Sequence, residues 1–512
     1  MRSSLFRRNR TPDNDSSETA PLLPEISTPG SSRIEQVQPE VETSRPGHKF
    51  PQYIAALAAT LGAFAAGTGL GWSSPVVFQI IQVNSTDYNF PVSTHEGDWV
   101  ASIFNLGCAA ACFPIGLIMD ALGRRNTMLL LVLPFTLGWL LIILAHNVAT
   151  LMVGRFITGF AGGAFCVTAP TYVSEIAQDS IRGTLGSYFQ LMVTSGILFS
   201  YIFGSLSSVY VFNIICIFFP FIFCITFFFM PESPQYLVVK GKFEDARKSL
   251  IWLRGINYDV DRELHYLRCK AEEDSNNLVS FRSSITKKTA LKALLICYML
   301  MLLQQFSGVN AVIFNTSAIF KSAGTTIPAS AATIIIGALQ VVATFISTLI
   351  VDSLGRRILL LSSSLIMCIC STVLGIYFYL QDAHGAHSPI VESLWWLPLL
   401  SLSLFIFSFS IGLGPIPWMM SGELCHIDIK AFVSSTSCTF NWLLSFTVTS
   451  TFNTLNDTIG RGQVFWAFAS IMLFGFVFVM FVVPETKGKS AEEIQILLGA
   501  EPVPINNARE IK

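Results

Sequence analysis

The sequence predicts an all-α membrane protein in which twelve transmembrane helices form two halves of six. Three observations support this fold class. Hydrophobic residues make up 52% of the chain and charged residues only 13%, and the mean hydropathy is +0.57. Uncharged runs such as 127–145 and 209–230 are long enough to cross a hydrocarbon core about 30 Å thick. Short motifs of the first half also recur in the second.

The repeat consists of three motifs in the same order. The first copies are Asp120-Ala-Leu-Gly-Arg-Arg, Glu175 followed by Arg182, and Pro231-Glu232-Ser233, and the second copies are Asp352-Ser-Leu-Gly-Arg-Arg, Glu423 followed by Lys430, and Pro484-Glu485-Thr486. A duplicated six-helix unit is typical of transporters whose two halves move about a central site.

The predicted organisation has five parts. They are a polar, disordered cytosolic tail at 1–50, a six-helix bundle at 51–230, a charged cytosolic linker of amphipathic helices at 231–289, a second bundle at 290–484 and a cytosolic tail at 485–512. The twelve spans are predicted to begin near Tyr53, Trp99, Thr127, Thr150, Thr184, Val209, Ala290, Ala329, Ile358, Leu394, Ala431 and Gln463.

The distribution of Lys and Arg over short loops predicts the orientation. Inner loops hold Arg124, Arg125, Arg182, Arg356, Arg357 and Lys430, whereas outer loops hold only Lys321 and Arg461. Both termini are therefore expected to be cytosolic. The sequons at Asn84 and Asn456 then fall on outer loops, where they are candidate glycosylation sites.

A short pattern in the first tail concerns the destination of the protein. Glu18 lies four residues before Leu22 and Leu23, as in dileucine signals that vesicle-sorting adaptors bind. The alternative is a chance match. The expected location is the cell membrane, with an endosomal or lysosomal membrane as the other candidate.

Charges of both signs gather near the predicted cytosolic ends of the spans. We predict gating ion pairs among Asp120, Arg124, Arg125, Arg155, Glu175, Arg182, Glu232, Asp352, Arg356, Arg357, Glu423, Lys430 and Glu485. Pairs that break when the halves separate would form a cytosolic latch that favours the outward-open state, and removing one partner would leave a costly unpaired charge. The alternative is that the arginines only set the topology.

Carboxamides inside apolar spans indicate the candidate binding site. Gln304, Gln305 and Asn310 can face one side of a helix that is loosened at Gly308. A buried amide without partners costs roughly 1–3 kcal/mol. Amides both donate and accept hydrogen bonds, which suits the hydroxyls of a neutral sugar. Alternatively, they attach this helix to its neighbours.

The segment 412–418 contains two glycines and two prolines, which predict a broken helix that gates the site. Several other classes of function are not indicated. The net charge of -1 gives no basic field for nucleic acid, and the 11 cysteines form no zinc pattern, so neither a metal nor a cofactor nor an enzyme is expected. The first span contains no Asp, Glu, Lys or Arg, and Arg155 has no nearby carboxylate in the sequence, which favours passive transport.

Together these motifs resemble the sugar porters of the major facilitator superfamily over roughly residues 50–490. The matching stretches are 120–125, 154–155, 175–183, 190–191, 231–237, 304–310, 352–357, 412–418, 441–442 and 484–488. Within that family the chain is similar to insect trehalose-transporter-like proteins and to the intracellular class (class III) of facilitative glucose transporters, through residues 69–75 and the dileucine.

The resemblance implies a major facilitator fold and a set of sugar contacts, namely Gln190, Gln304, Gln305, Asn310, Gln340, Trp418 and Asn441. It also implies a facilitative carrier that moves a hexose or trehalose by alternating access. Proton-coupled members of the family have an Asp in the first span beside the Arg that matches Arg155, and that Asp is absent here. A proton-coupled sugar symporter and a sugar sensor that does not transport remain the alternatives.

Overall fold

A computed structural model describes residues 47–81, 88, 90–178, 180–276, 285–323, 327–385, 388–425, 427–489 and 491–500. These residues are predominantly α-helical, and no strand occurs among them. Glu18, Leu22, Leu23 and Asn84 lie outside the described residues, and so do the side chains of Asp352 and Lys430.

Where the structure describes it, the first half contains eight helices that form six predicted spans. They are α1 (Phe50–Gly71), α2 (Ser73–Ile80), α3 (Thr94–Leu122), α4 (Arg124–Leu130), α5 (Val132–Ile143), α6 (Val148–Ile176), α7 (Arg182–Leu206) and α8 (Val209–Phe227). Helices α1 and α2 share one span, as do α4 and α5. Polar caps fix several starts: Ser93 and Glu96 form a capping box on α3, and Asn147 accepts the backbone N–H of Thr150 at 2.7 Å.

The described residues of the linker form three helices, α9 (Pro234–Val239), α10 (Phe243–Arg254) and α11 (Val260–Asn276). Helix α10 buries Ala246, Leu250 and Leu253 on one face, as its amphipathic pattern predicts. Arg254 at its end is also buried, because it donates to the carbonyl of Ile176 at 2.8 Å and forms an ion pair with Glu263 at 2.9 Å. The linker is therefore attached to the end of α6 that is predicted to be cytosolic.

The second half repeats the plan of the first. Its helices are α12 (Lys288–Phe306), α13 (Val309–Ala323), α14 (Ala329–Leu354), α15 (Arg356–His384), α16 (Pro389–Ser393), α17 (Leu397–Ile411), α18 (Ile416–Glu423), α19 (Ile427–Ile459) and α20 (Arg461–Phe481), and α21 (Ala491–Leu497) follows. Helices α12 and α13 share one span, and α17 and α18 share another.

Eleven spans within the described residues are long and apolar enough to cross a membrane. The span predicted to begin near Ala431 corresponds to α19, which is 33 residues long and carries many Ser and Thr side chains. The prediction that Asn456 lies on an outer loop is wrong. It lies in the last turn of α19, because the helix continues to Ile459 and ends only at Gly460, whose φ is +96°.

The amide-rich stretch is not one continuous helix. Helix α12 ends at Phe306, and Gly308 has φ +85° before α13 begins. A side chain at Gly308 would also meet the ring of Phe468, since its Cβ would lie 2.5 Å from a ring carbon. The predicted break at 412–418 is confirmed, because α17 ends at Ile411 and α18 begins at Ile416.

The buried apolar side chains form one large cluster in each half. The cluster of the second half continues into the first through residues of α1, α3 and α7, including Leu70, Phe104 and Tyr201. The halves therefore share an apolar contact surface, and the candidate site lies in the second half beside it.

Candidate functional site

Three of the predicted amides form a hydrogen-bonded cluster, and all three are buried. Asn441 of α19 donates from Nδ2 to Gln304 Oε1 at 2.6 Å. Gln305 donates from Nε2 to Asn441 Oδ1 at 2.9 Å. Asn441 therefore connects two neighbouring residues of α12 to a different helix, which sequence spacing alone does not indicate.

Asn310 joins this cluster from the start of α13 and is only half-buried. Its Nδ2 donates to Gln305 Oε1 at 2.7 Å and to Ser445 Oγ at 2.7 Å. The break at Gly308 changes the direction of the chain between the two helices. The prediction that Gln304, Gln305 and Asn310 share one side is confirmed in this form, with the break in place of a loosened turn.

The cluster also holds the broken helix in place. Pro417 has no N–H, so the carbonyl of Leu413 four residues earlier has no helical partner. Gln304 Nε2 donates to that carbonyl at 2.9 Å and to the carbonyl of Gly414 at 2.8 Å. In this structure the amides thus hydrogen-bond to one another and to the broken helix. These are the contacts expected if the amides attach α12 to its neighbours.

The other three proposed contacts lie apart from this cluster. Gln340 is buried on α14, and its Oε1 has no partner among the described residues. Gln190 on α7 and Trp418 on α18 are half-buried. Within the described part of the chain, none of the three hydrogen-bonds with the amide cluster.

Two hydroxyl residues and one amide near the cluster were not predicted. Ser445 and Thr449 lie one turn apart on α19, and Asn105 of α3 donates to Thr449 Oγ1 at 3.1 Å, which joins the two halves. Asn105 could have been found, because it is a lone amide in an apolar run. The hydroxyl residues could not, because Ser and Thr are common throughout α19.

Hydrogen bonds also join the halves on the predicted outer side. Ser74 at the start of α2 and Ser317 of α13 approach to 3.1 Å between their hydroxyl oxygens, and Ser317 also contacts Thr333 of α14 at 3.2 Å. The Tyr201 hydroxyl donates to the carbonyl of Ile313 at 2.8 Å. These contacts close the predicted outer face between α2, α7 and α13.

The charges at the predicted cytosolic end of the first half form a network within that half. Arg124 pairs with Glu175 at 2.9 Å and, less closely, with Asp120 at 3.4 Å. The Glu232 carboxylate accepts the backbone N–H groups of Arg124 at 2.9 Å and Arg125 at 3.1 Å. Glu232 therefore caps α4, and a carboxylate is favourable at a helix N-terminus.

The second half repeats this network. Arg356 pairs with Glu423 at 3.1 Å, and Glu485 accepts the backbone N–H groups of Arg356 and Arg357 at 3.0 Å each. Burial alone would raise the pKa of the Glu485 carboxyl, but bonds from backbone N–H groups outweigh it and hold its pKa below the usual range. The residue before each arginine pair, Gly355 here, has φ +91° in both halves.

These contacts concern the predicted cytosolic latch, which stays a prediction. Arg124 and Arg356 form their ion pairs within their own halves, because the partner glutamates lie on the adjacent helix ends of the same half. Arg182 donates to the carbonyl of Ala177 at 3.4 Å, also within its half. In this state these contacts of Arg124, Arg182 and Arg356 hold each half together.

Arg155 is fully buried, but it is not part of an ion pair with the described residues, which corrects its predicted role. Its guanidinium donates to the carbonyl of Gly69 at 2.8 Å and to Ser73 Oγ at 2.8 Å, and it lies over the ring of Trp72 at 4.5 Å. It thereby fixes the junction of α1 and α2. A carboxylate was missed elsewhere, however, since Asp98 of α3 is buried against the second half.

Comparison with known proteins places these features in a family. A family model described as "Sugar (and other) transporter" matches residues 57–498. The facilitated trehalose transporter Tret1 of Drosophila yakuba is 39% identical over 476 residues, which are 93% of this chain and 55% of that protein. Tret1 of Polypedilum vanderplanki is 37% identical over 480 residues, 93% of each chain. The chain spans about half the length of the Drosophila relatives it matches.

Solved structures confirm the fold. The partially occluded inward-open form of the xylose transporter XylE from E. coli has a TM-score of 0.69 and 22% identity, covering 85% of this chain and 100% of that one. The proton:xylose symporter XylE bound to 6-bromo-6-deoxy-D-glucose has a TM-score of 0.70 and 24% identity, covering 87% and 99%. This chain therefore has the fold of these two transporter structures, one of which is named as that of a member of the major facilitator superfamily.

Proposed function

Since the chain belongs to the sugar transporter family, we propose that it is a facilitative carrier that moves a hexose or trehalose across a membrane by alternating access. The family model spans both halves and the linker between them. Two relatives similar over 93% of this chain are named as facilitated trehalose transporters. A uniporter for a neutral sugar is the function that the family and the site together support best.

The amide cluster is the observation that carries this proposal. Gln304, Gln305 and Asn441 currently bond to one another, so none of them is left unpaired. A sugar hydroxyl both donates and accepts, and it can replace an amide–amide bond without leaving a buried group unsatisfied. We assign Asn310 to the same contact set, because it is half-buried and bonds to Gln305.

We also propose Gln190, Gln340 and Trp418 as sugar contacts. For Gln340 the support is its buried Oε1, which has no hydrogen-bond partner among the described residues and could accept a sugar hydroxyl. Trp418 follows the helix break and is half-exposed, so its ring can stack on the C–H face of a sugar. Gln190 lies on the first half, so its contact would involve both halves in binding.

Alternating access would use the contacts between the halves. The hydroxyl contact of Ser74 with Ser317 and the bond of Tyr201 to Ile313 would open on the outer side. Each half would move as a unit, because its arginine–glutamate network is internal. The broken helix, attached to the site through Gln304, would transmit sugar binding to this movement.

The membrane that holds the carrier is a separate proposal. We infer a cell-surface carrier that cycles through endosomal or lysosomal membranes by adaptor binding at Glu18, Leu22 and Leu23. Glycan addition is proposed at Asn84. Asn456 is the weaker site, because it is half-buried in a helix.

A substrate panel tests the proposed function. Radiolabelled trehalose, glucose and fructose would be offered to cells that lack their own sugar carriers, with and without the chain. Saturable uptake that runs down the gradient of at least one sugar is expected. Accumulation against the gradient driven by external acid would support the proton-coupled alternative, and sugar binding without flux would support a sensor.

A further inference from the structure

Asp98 is a carboxylate buried between the two halves that sugar binding does not use. It lies in the second turn of α3, near the predicted outer end, and is 8% exposed. Asn453 of α19 donates from Nδ2 to Asp98 Oδ1 at 2.5 Å. This hydrogen bond joins the first half to the second.

A third helix reaches the same point. The Nδ2 of Asn453 also faces Asn315 Oδ1 at 3.5 Å. Asn315 interrupts α13 with a non-helical φ of −117° and ψ of 15°. Trp99, next to Asp98, packs against Phe446 of α19 with ring centroids 5.8 Å apart. The carboxylate thus lies where α3, α13 and α19 meet on the outer side.

No cation in the described residues forms an ion pair with this carboxylate. His95 is exposed one turn earlier on α3, and Asp457 is exposed one turn later on α19. Arg155 of α6 donates instead to the carbonyl of Val100 at 3.2 Å. On α13, Lys321 lies over the Phe78 ring at 4.8 Å. The Asn453 amide is therefore the described side chain that donates a hydrogen bond to this carboxylate, and the charge of His95 has a smaller effect on it.

Burial sets a clear energetic preference. A carboxylate that leaves water costs several kcal/mol unless an opposite charge compensates it, and a neutral carboxyl costs far less. Opening the contact between α3 and α19 on the outer side would return Asp98 to water. Ionised Asp98 therefore favours the open outer face, and protonated Asp98 favours the closed one.

We propose that Asp98 and Asn453 form a proton-responsive latch of the outer gate, in which a proton taken from the external side favours closure. This outer latch rests on the proposed function in one respect, namely that an outer gate exists only if the chain is a carrier. It regulates the opening of the outer face and requires no proton to cross the membrane with the sugar.

The test measures how often the outer face opens, without using sugar flux. Ser317 is buried in the closed contact, so Ser317→Cys provides a thiol that reacts with a membrane-impermeant reagent only when the face opens. The labelling rate is compared between chains with Asp98 and with Asp98→Asn, at external pH near 7.5 and near 5.5. The ratio of the two labelling rates at each pH cancels the pH dependence of the thiol's own reactivity. The chain with native Ser317 measures the background labelling of the natural cysteines.

We expect the chain with Asp98 to label faster than Asp98→Asn at pH 7.5, and the ratio of the two labelling rates to be roughly threefold smaller at pH 5.5, because protonation of the closed form removes part of the preference for opening. Asp457→Asn, an exposed carboxylate one turn from Asn453, is the matched control and should behave like the chain with Asp98. A ratio that is the same at both pH values overturns the proposal.

A second variant keeps the test decisive if Asp98→Asn does not reach the membrane. Asn453→Ala removes the donor and leaves the ionised carboxylate uncompensated, so labelling should be faster than in the parent at pH 7.5, and the difference from the parent should be smaller at pH 5.5. Unchanged labelling at pH 7.5 contradicts the latch. Because labelling requires no transport, its outcome stays separate from the substrate panel.

Discussion

At the scale of single residues, the sequence predicted the members of the amide cluster but not the contacts between them. Gln304, Gln305, Asn310 and Asn441 could be found because amides in apolar spans are rare enough to notice. That Asn441 connects both glutamines could not be found, because the partner lies more than 130 residues away and depends on how α19 packs. Asp98 was overlooked for the same reason, since nothing local indicates that Asn453 covers it.

Gln304→Ala tests the amide cluster. The change removes two donors to the broken helix and one acceptor for Asn441, and one lost sugar hydrogen bond costs roughly 1–3 kcal/mol. We expect uptake per carrier to fall roughly tenfold or more while the protein still reaches the membrane. The measurement is initial uptake normalised to surface protein.

Gln381→Ala is the matched control for that variant. Gln381 is also a buried glutamine, but it donates to the carbonyl of Ser322 at the other end of the second half. Its loss should leave uptake per surface carrier within about twofold. Equal loss in both variants would mean that the effect of Gln304→Ala is structural, and unchanged uptake in Gln304→Ala would refute the site.

Glu485→Gln tests the cap on α15. The pKa of Glu485 is lowered in the folded chain, so its stabilisation is complete above the unfolded pKa and is lost as the pH falls through the folded pKa. We therefore expect a lower Tm for Glu485→Gln near pH 7 and a smaller difference below about pH 4. Thermal unfolding in detergent measures this, with Glu244→Gln, an exposed carboxylate of α10, as control.

At the scale of helices, composition predicted the breaks better than the boundaries. Pro415 and Pro417 predicted the break between α17 and α18 directly, since neither has an N–H to donate. The complete break between α12 and α13 was predicted only as a loosening, because a single glycine does not fix a positive φ. Here the ring of Phe468 leaves no room for a side chain at Gly308. The prediction of a loop at Asn456 was wrong because the helix continues to Ile459. It ends at Gly460, whose positive φ terminates the helix.

Pro417→Ala tests the mechanical role of the broken helix. An alanine would restore the N–H that the Leu413 carbonyl lacks, and this N–H would compete with Gln304 for the same acceptor. We expect slower turnover at saturating sugar, because a continuous helix bends less readily. Pro398→Ala, at the start of α17 where proline breaks nothing, should be neutral. Equal turnover in both variants would argue against a gate at this position.

At the scale of the whole molecule, the duplicated motifs predicted two halves with matching parts. The structure confirms the match in detail, since Glu232 and Glu485 cap equivalent helices and Glu175 and Glu423 pair with equivalent arginines. The sequence could not show whether these pairs lie within or between halves. That depends on the relative position of the halves, which would change during the proposed alternating access.

The sorting proposal also concerns the whole molecule. Changing Leu22 and Leu23 to Ala removes both leucines of the dileucine pattern and leaves both bundles unaltered. We expect the surface fraction to rise at least about twofold, measured by surface biotinylation, whereas Leu5→Ala in the same tail should change nothing. An unchanged distribution would assign the pattern to chance.

The central claim is that the amides in the second half serve a neutral sugar in transit. Its most direct test is counterflow in liposomes that contain the purified chain, preloaded with unlabelled trehalose, glucose or fructose and exposed to the same labelled sugar. We predict transient, saturable accumulation of at least one of these sugars in the absence of any ion gradient. If none of them enters faster than it enters empty liposomes, the account is contradicted.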